Sequence, residues 1–204
     1  MDPARAGAVV LAAGRARRFG SDKLLASLDG RPVLQHVLDT LVGVGIRHVA
    51  VVLGAHAARQ EAVLAWRGER RVRNPDPARG LSSSLRIGLA ELAAATASGA
   101  PLIDAALICL GDQPRLDPDV ILRLLAASDR TEPMIVPRYA HGGGGNPVLL
   151  RRSAWTVADT IEGDEGLRSV IATSPDLVGF VDVPGSNPDV DTPADLQRLS
   201  RGEA

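Results

Sequence analysis

Residues 8–23 read AVVLAAGRARRFGSDK, and this stretch decides the fold class. Its first part, Ala8–Ala12, is apolar throughout, and Gly14 ends the apolar run. Similar apolar runs recur at Val49–Leu53, Ala105–Leu110 and Met134–Val136. Strands that are apolar on both faces are typical of a parallel sheet covered by helices on each side. These runs therefore predict the strands of such a sheet.

Helical patterns alternate with these strands. Leucines and other apolar residues repeat at helical spacing in three segments, which are Leu34–Leu41, Leu85–Leu92 and Ile121–Leu125. Later in the chain, Pro147–Leu150 and Phe180–Val183 are possible strands, and Thr192 is placed to cap a helix that starts at Pro193. The order predicts one α/β domain over residues 1–204, with a doubly wound, mostly parallel sheet and helices on both faces.

Composition narrows the class of protein. The chain has 204 residues, of which 45% are apolar, so we expect a substantial core. Aromatic residues make up 2% and the net charge is −1, which argues against a nucleic-acid-binding surface. The N-terminus lacks the apolar core of a signal peptide, and no apolar run approaches the ~20 residues that span a bilayer. We therefore expect a cytoplasmic protein that binds neither nucleic acid nor membrane.

The glycine-containing turn after the first strand is suited to a phosphate chain. Open α/β sheets bind ligands at the carboxyl ends of their strands. Small residues at Ala12–Gly14 let backbone N–H groups approach phosphates, and Arg18 and Lys23 can neutralise them. The spacing fits neither a P-loop nor a dinucleotide fingerprint. The alternative is a tight turn with solvated arginines.

A carboxylate follows the apolar strand Ala105–Leu110. Asp112 stands where this strand meets its loop, in Gly111-Asp112-Gln113-Pro114. Mg²⁺ commonly takes one or two carboxylates and completes its shell with phosphate oxygens and water. Asp112 is thus a candidate metal ligand, unless it only opens a turn before Pro114.

Six segments together resemble one family. Gly14, Arg18, Gly20 and Lys23 match the nucleotidyltransferase signature L-A-A-G-x-S-x-R-M-G-x-x-K, with Ala16 in place of Ser and Phe19 in place of Met. Gly111–Pro114 resembles G-D-Q-P, and Gly80–Leu85 resembles G-M-S-S-S-L. Gly145–Val148 resembles G-H-P-V, with Asn146 in place of His. Gly163–Arg168 resembles G-D-x-G-A-R, and Asp189–Leu196 resembles D-I-D-T-P-E-D-L. The chain thus resembles molybdenum cofactor cytidylyltransferases (MocA-like) and the wider MobA-like nucleotidyltransferases.

The resemblance implies a fold like that of nucleotide-diphospho-sugar transferases and a role for each matched residue. Catalytic roles fall to Arg18, Lys23 and Asp112, and Mg²⁺ ligation to Asp112 and Asp191. Contacts to the nucleotide fall to Leu11, Ala12, Ala13, Gly14, Arg18, Lys23, Gly80, Ser82, Ser83 and Asp112. Contacts to the acceptor fall to Ser84, Gly145, Asn146, Pro147 and Asp164. Ordinary helix capping by the serines and solvated loop positions for Asp189 and Asp191 are the alternatives.

The implied reaction is attack by an acceptor phosphate on the α-phosphorus of a nucleoside triphosphate, with release of pyrophosphate. The resemblance favours CTP as donor, because the first turn reads Leu-Ala-Ala-Gly and the last motif carries Asp189 and Asp191 where the guanylyl branch has Asn. It implies a molybdopterin-type phosphate as acceptor, and a molybdoenzyme or chaperone as a possible partner. The alternatives are guanylyl transfer, a sugar or polyol phosphate acceptor, and a non-catalytic nucleotide-binding or cofactor-binding module.

Overall fold

The structure is a computed structural model that describes residues 1–14, 19–97, 102–142 and 144–202. The strands within these residues are β1 (Ala6–Ala12), β2 (Ser27–Leu28), β3 (Arg31–Pro32), β4 (His48–Leu53), β5 (Arg70–Arg73), β6 (Ala105–Leu110), β7 (Met134–Tyr139), β8 (Val148–Arg151) and β9 (Val178–Val183). Seven of them form one sheet in the order β5-β4-β1-β6-β8-β7-β9, and β2 and β3 form a separate hairpin.

The sheet is mostly parallel. β1 pairs in parallel with β4 on one side and with β6 on the other, and β4 pairs in parallel with β5. β8 is antiparallel to both of its neighbours, β6 and β7, while β7 and β9 are parallel. The predicted doubly wound α/β class is confirmed, with β8 as the antiparallel exception.

Helices cover both faces of the sheet. They are α1 (Val33–Gly43), α2 (Ala57–Val63), α3 (Leu81–Ala97), α4 (Pro118–Ala126), α5 (Leu167–Thr173) and α6 (Pro193–Ser200). Alternate β1 side chains supply two cores: Val10 packs in the core with α1 and α4, and Val9 packs in the core with α3. A Cβ on Gly88 would lie 2.3 Å from Val9 Cγ1, so glycine there lets α3 press directly on β1.

Some elements differ from the sequence expectation. β5 was not predicted, because its Arg-Arg-Val-Arg sequence is largely exposed at the sheet edge and has no apolar alternation. Pro32 precedes the helical pattern of Leu34–Leu41 and is predicted to occupy the first turn of that helix. It instead lies just before α1, in β3. Among the described residues, no helix has the length and apolar character that crossing a bilayer requires.

Candidate functional site

The carboxyl ends of β1 and β6 bring the first turn and Asp112 side by side. The two strands pair in parallel, with Leu11 opposite Leu110. Just beyond them, the Gly111 N–H donates to the Leu11 carbonyl at 3.0 Å. Ala12 and Ala13 are buried at this end of β1, and Gly14 is exposed after them. Parallel pairing therefore places the predicted phosphate turn next to the predicted metal ligand.

Lys23 joins the two predicted metal ligands. It begins a short 3-10 helix, Lys23–Leu25, after the first turn. Its Nζ lies 2.6 Å from Asp112 Oδ2 and 2.9 Å from Asp191 Oδ1, and its side chain is 13% exposed. Burial alone lowers the pKa of Lys23, but the two carboxylates outweigh it, so the net pKa is raised. Lys23 is therefore a fully charged ammonium between two carboxylates.

Lys23 is also the only lysine in the chain, since every other residue counted among its 23 basic residues is an arginine. An ammonium is a compact charge with three donors, whereas a guanidinium is a wide planar fork. The Lys23 ammonium contacts both carboxylates, so two of its three donors are engaged.

Asp191 is held in place by its neighbours in the C-terminal segment. The Val190 N–H donates to the Asp112 carbonyl at 2.9 Å, which ties this segment to the β6 loop. Asp195 Oδ2 accepts from the backbone N–H groups of Asp191 and Thr192 at 3.1 and 2.7 Å. Thr192 and Asp195 form a capping box, and Pro193 opens α6, as predicted. The cap of α6 thus fixes the backbone that carries Asp191.

The donor set suits a magnesium ion. Asp112 and Asp191 direct oxygens at the same cation, the Lys23 ammonium, so those oxygens are at most two hydrogen-bond lengths apart. Within the described ranges, no group of three or more His, Cys, Asp or Glu residues is arranged to hold a metal. Two carboxylates are nevertheless what Mg²⁺ commonly takes beside substrate phosphates.

Asp189 adds a third carboxyl group to the surroundings of this pair. Its pKa is raised, first by partial burial of the carboxyl group and second by the negative charge of Asp112. A hydrogen bond with Gln113 and the positive charge of Lys23 oppose this shift. The residue as a whole is still exposed. The charge of Asp112 therefore reaches Asp189 in the C-terminal segment.

The serines that begin α3 are buried rather than open to solvent. Ser83 Oγ donates to the Gly80 carbonyl at 2.8 Å and accepts from Asn74 Nδ2 at 2.8 Å. Ser84 Oγ accepts from the same Asn74 amide at 3.0 Å. Ser82 is 1% exposed, and its Oγ has no partner among the described residues. The Ser83 and Ser84 hydroxyls fix the turn before α3 in this structure, and ligand binding by the serines stays a prediction.

The loop Gly163–Gly166 closes onto the start of α3. Asp164 Oδ1 accepts from the Leu81 N–H at 3.2 Å, and the Gly163 carbonyl accepts from the Ser82 N–H at 3.0 Å. A Cβ on Gly80, which has φ 86°, would lie 2.3 Å from the Gly163 carbonyl carbon, so only glycine permits this approach. Asp164 therefore accepts a hydrogen bond from the first backbone N–H of α3. This is a structural role, separate from its predicted contact with the acceptor.

A cleft of about 1070 Å³ lies on the β6–β8–β7 side of the site. Its walls are largely apolar, with Leu11, Leu81, Leu85, Ile108, Leu110, Val136, Val148 and Phe180 among them. Arg138 and Arg168 supply positive charge at its edge, and Arg138 Cζ lies 4.8 Å from the Phe180 ring centroid. The predicted acceptor residues Gly145, Asn146 and Asp164 line it, whereas Pro147 and Ser84 do not. Asp164 and Glu165 also line it, and Arg138 lies 3.6 Å from Asp182, so the cleft can accept a bulky, largely apolar molecule.

A buried amide network connects the cleft with the Asp112 loop. Gln113 Nε2 donates to the Asn187 carbonyl at 3.1 Å, and Asn187 Nδ2 donates back to Gln113 Oε1 at 3.2 Å. The Asn146 carbonyl accepts from Asn187 Nδ2 and from the Tyr139 hydroxyl, at 3.3 and 2.8 Å. Burial raises the pKa of Tyr139, which keeps this hydroxyl protonated as a donor. Hydrogen bonds thus connect the cleft with the loop that carries Asp112.

The structure brings part of the predicted site together. Lys23, Asp112 and Asp191 are in direct contact, and Leu11 lies in the cleft wall. Arg18, predicted to be catalytic and to bind the nucleotide, lies outside the described residues.

Comparison with known proteins places the chain in a family. The MobA-like NTP transferase domain matches residues 8–178. The chain belongs to this family. This MobA-like protein is therefore related to nucleotidyltransferases, in agreement with the motifs that predicted it.

Its relatives carry different names. It is 31% identical to nicotine blue oxidoreductase of Paenarthrobacter nicotinovorans over 94% of both chains. It is 30% identical to a probable molybdenum cofactor guanylyltransferase of Pyrococcus horikoshii, over 66% of this chain and 63% of that protein. It is 35% identical to the bifunctional protein GlmU of Mycolicibacterium gilvum over 61% of this chain, and the matched region spans only 25% of GlmU.

Solved structures agree on the fold of this MobA-like chain. Rv0371c from Mycobacterium tuberculosis H37Rv is 30% identical, with a TM-score of 0.80, covering 96% of this chain and 97% of that one. The complex of Rv0371c with manganese gives a TM-score of 0.77 at 29% identity, covering 96% and 98%. A nucleotidyl transferase from Methanothermobacter gives a TM-score of 0.75 at 25% identity, covering 97% of each chain. The chain has the fold of the nucleotide-diphospho-sugar transferases.

Sequence reasoning missed several residues that build the site of this MobA-like protein. Asn187 and Tyr139 were not singled out, because an isolated amide or phenol carries no motif. Arg138 and Phe180 reach the cleft only because β7 and β9 pair in parallel, with Arg138 opposite Asp182. The helical residue Gln60, which contacts Asp22, was also missed.

Proposed function

We propose that this chain transfers CMP from CTP to the phosphate of a molybdopterin-type acceptor, releases pyrophosphate and uses Mg²⁺. The observation that carries the proposal is the Asp112–Lys23–Asp191 contact at the carboxyl ends of β1 and β6. Open α/β sheets bind ligands at that edge. A carboxylate pair beside an ammonium suits a metal-bound triphosphate, because the carboxylates can bind the metal cation and the ammonium can bind a phosphate oxygen.

Asp112 and Asp191 would hold the Mg²⁺, which when bound neutralises phosphate charge. The complex of the relative Rv0371c with manganese supports a divalent cation. Both carboxylates contact Lys23 here, so a metal ion bound with the triphosphate would share their oxygens with the ammonium. The third N–H of Lys23 is then a donor for a phosphate oxygen of the leaving pyrophosphate.

The acceptor occupies the 1070 Å³ cleft in this proposal. Its apolar wall receives the ring system, and Arg138 and Arg168 attract its anionic group. A phosphate monoester has its second pKa near ~6, so its oxygen is already a nucleophile at neutral pH. The chain's task is then alignment and charge neutralisation, and no general base is needed.

CTP is the proposed donor because the first turn reads Leu11-Ala12-Ala13-Gly14 and the last motif carries Asp189 and Asp191. The turn is tightly packed: a Cβ on Gly54 would lie 2.7 Å from the Ala13 carbonyl oxygen. Glycine at position 13 would relax this backbone and admit other turn geometries. The guanylyltransferase relative makes GTP the direct competitor.

The test is pyrophosphate release with each of four triphosphates, with and without molybdopterin. Equal CTP and GTP in competition, with the product read by mass spectrometry, should give mainly the cytosine dinucleotide. A guanine dinucleotide as main product would overturn CTP and spare the nucleotidyltransferase. A product only with sugar or polyol phosphates would overturn the acceptor.

A second candidate function is an oxidoreductase, because the relative that matches over 94% of both chains is named for one. The chain has a single cysteine, so it contains no intramolecular dithiol pair to carry electrons. Reduction of nicotine blue by NADH or NADPH, measured without any triphosphate, distinguishes the two. Redox turnover without pyrophosphate release under any condition would favour this second function.

A further inference from the structure

Asp22 and Gln60 form a buried polar pair beneath the first turn. Asp22 is 6% exposed and Gln60, on α2, is 2% exposed. Gln60 Nε2 lies 3.2 and 3.0 Å from the two carboxylate oxygens of Asp22. The two residues are 38 positions apart in sequence, so the contact joins α2 to the segment that follows the first turn.

The amide of Gln60 is oriented by Asp22. An ionised carboxylate only accepts hydrogen bonds, so the NH₂ of Gln60 must face it and the Oε1 must face away. That Oε1 is buried and has no partner in the described part of the chain. Buried polar atoms are nearly always bonded, so a polar side chain kept here at that cost points to a task other than core packing.

Asp22 in turn holds the segment that carries Lys23. Its Oδ1 accepts from the Leu24 N–H at 3.2 Å, and its carbonyl accepts from the Leu25 N–H at 3.1 Å. Asp22 is thus the N-cap of the 3-10 helix that begins at Lys23. The direction in which Lys23 leaves the backbone depends on this cap.

We propose that Gln60 is a positioning residue: it fixes the Asp22 carboxylate, and through that cap it aims Lys23 at the Asp112–Asp191 pair. Gln60 itself is fully buried on α2 and acts only through Asp22. The inference rests on the proposed function for its effect on turnover, since only a nucleotidyltransferase needs Lys23 at the phosphates. The geometric part stands on the contacts alone.

The test uses the fact that Lys23 is the only lysine. The full chain is treated with a limiting amount of N-hydroxysuccinimide acetate. Peptide mass spectrometry follows the acetylation of Lys23, and the acetylation of the α-amino group serves as the internal reference. In Gln60→Met the rate should rise by roughly threefold to tenfold, which is what losing the net contribution of one ordinary hydrogen bond corresponds to. Gln35→Met is the matched control, because Gln35 is also a buried glutamine and bonds to Ala65 and Asp39 instead.

A second arm separates positioning from stability. Gln60→Glu keeps the shape of the side chain and places a carboxylate against Asp22, so it should free Lys23 at least as much as Gln60→Met. If pyrophosphate release is found, kcat should fall by roughly tenfold or more in both variants, with KM for the triphosphate much less changed. The Gln35→Met variant should keep wild-type values in both assays.

The outcomes distinguish the two proposals. Wild-type Lys23 acetylation in both folded Gln60 variants overturns the positioning role, whatever the activity. Faster acetylation in a protein that releases no pyrophosphate with any triphosphate supports the positioning role and overturns the proposed function. If Gln60→Met does not fold, Gln60→Glu and Asp22→Asn decide the question by the same acetylation rate.

Discussion

Replacement of Lys23 by methionine removes the ammonium that separates Asp112 from Asp191 and keeps an unbranched side chain of similar length. The structure predicts two opposite effects. Turnover should fall, because the phosphates lose a charge-assisted contact worth roughly 1.5–3 kcal/mol, or about one to two decades in kcat/KM. Mg²⁺ should bind more tightly, because it no longer shares the carboxylates with a resident cation.

The size of the second effect follows from the geometry. Two carboxylate charges about 5 Å apart repel by about 3 kcal/mol at an effective dielectric constant of about 20. Asp191 is 48% exposed, so solvent screening reduces the repulsion to about 1 kcal/mol. In EDTA the variant should therefore melt about 2–4 °C below the wild type. Added Mg²⁺ should restore most of that loss.

The assay is a pair of thermal melts, in EDTA and in millimolar Mg²⁺, together with pyrophosphate release. Arg31→Met is the control, since it removes the ion pair of Arg31 with Asp39, 3.1 Å apart and separate from the site. The control should show no Mg²⁺-dependent gain beyond that of the wild type. An equal Mg²⁺ shift in wild type and Lys23→Met would refute the assignment of this carboxylate pair as the metal site.

Three further predictions concern single side chains. Asp112→Asn should fold normally and lose nearly all turnover at limiting Mg²⁺, because a neutral amide binds the ion poorly; wild-type rates there would remove Asp112 from the metal site. Thr192→Ala should cost about 1 kcal/mol of folding free energy by denaturant titration, since it loses a helix cap, and an unchanged midpoint would contradict this. Burial raises the pKa of the Cys109 thiol to about 12, so it should resist Ellman's reagent at pH 8 until guanidinium unfolds the chain; prompt native labelling would show an accessible thiol.

The sign of the Cys109 effect on stability follows from the same shift. The folded pKa lies above the unfolded one, so the unfolded thiol loses its proton first as pH rises. The native state therefore loses stability as pH rises from the usual thiol value of about 8.5 towards about 12. Alkaline denaturation of Cys109→Ser, compared with the wild type, measures this contribution.

The sequence predicted the central strands of the sheet for a physical reason. Ala8–Ala12 and Ala105–Leu110 are buried on both faces, so their apolar character needs no knowledge of partners. Parallel strands align their carboxyl ends, which is why Asp112, after β6, lies beside the first turn, after β1. The cap of α6 was equally local, because Thr192 and Pro193 act on their own helix.

What the sequence could not supply depends on contacts between distant segments. Asp164 lines the cleft and also caps α3, which is 83 residues away from it at Leu81. The buried hydrogen bonds from Asn74 to Ser83 and Ser84 depend on how the segment before α3 packs against the start of that helix. Gln60 lies in the helix sequence Ala-Ala-Arg-Gln-Glu-Ala-Val, which contains no motif. Only its hydrogen bond to Asp22 distinguishes it.

The antiparallel strand β8 has an evolutionary consequence. The strands β5, β4, β1 and β6 are complete by residue 110, whereas β8, β7 and β9 all come later in the chain. A single ladder of four residue pairs, between β6 and β8, joins the two halves of the sheet. Insertions or exchanges within residues 134–183 can therefore remodel the cleft while the earlier strands keep Lys23 and Asp112 in place. The chain then returns with Asp191 to complete the carboxylate pair, so the strands that carry the first turn and Asp112 can stay constant while the cleft varies.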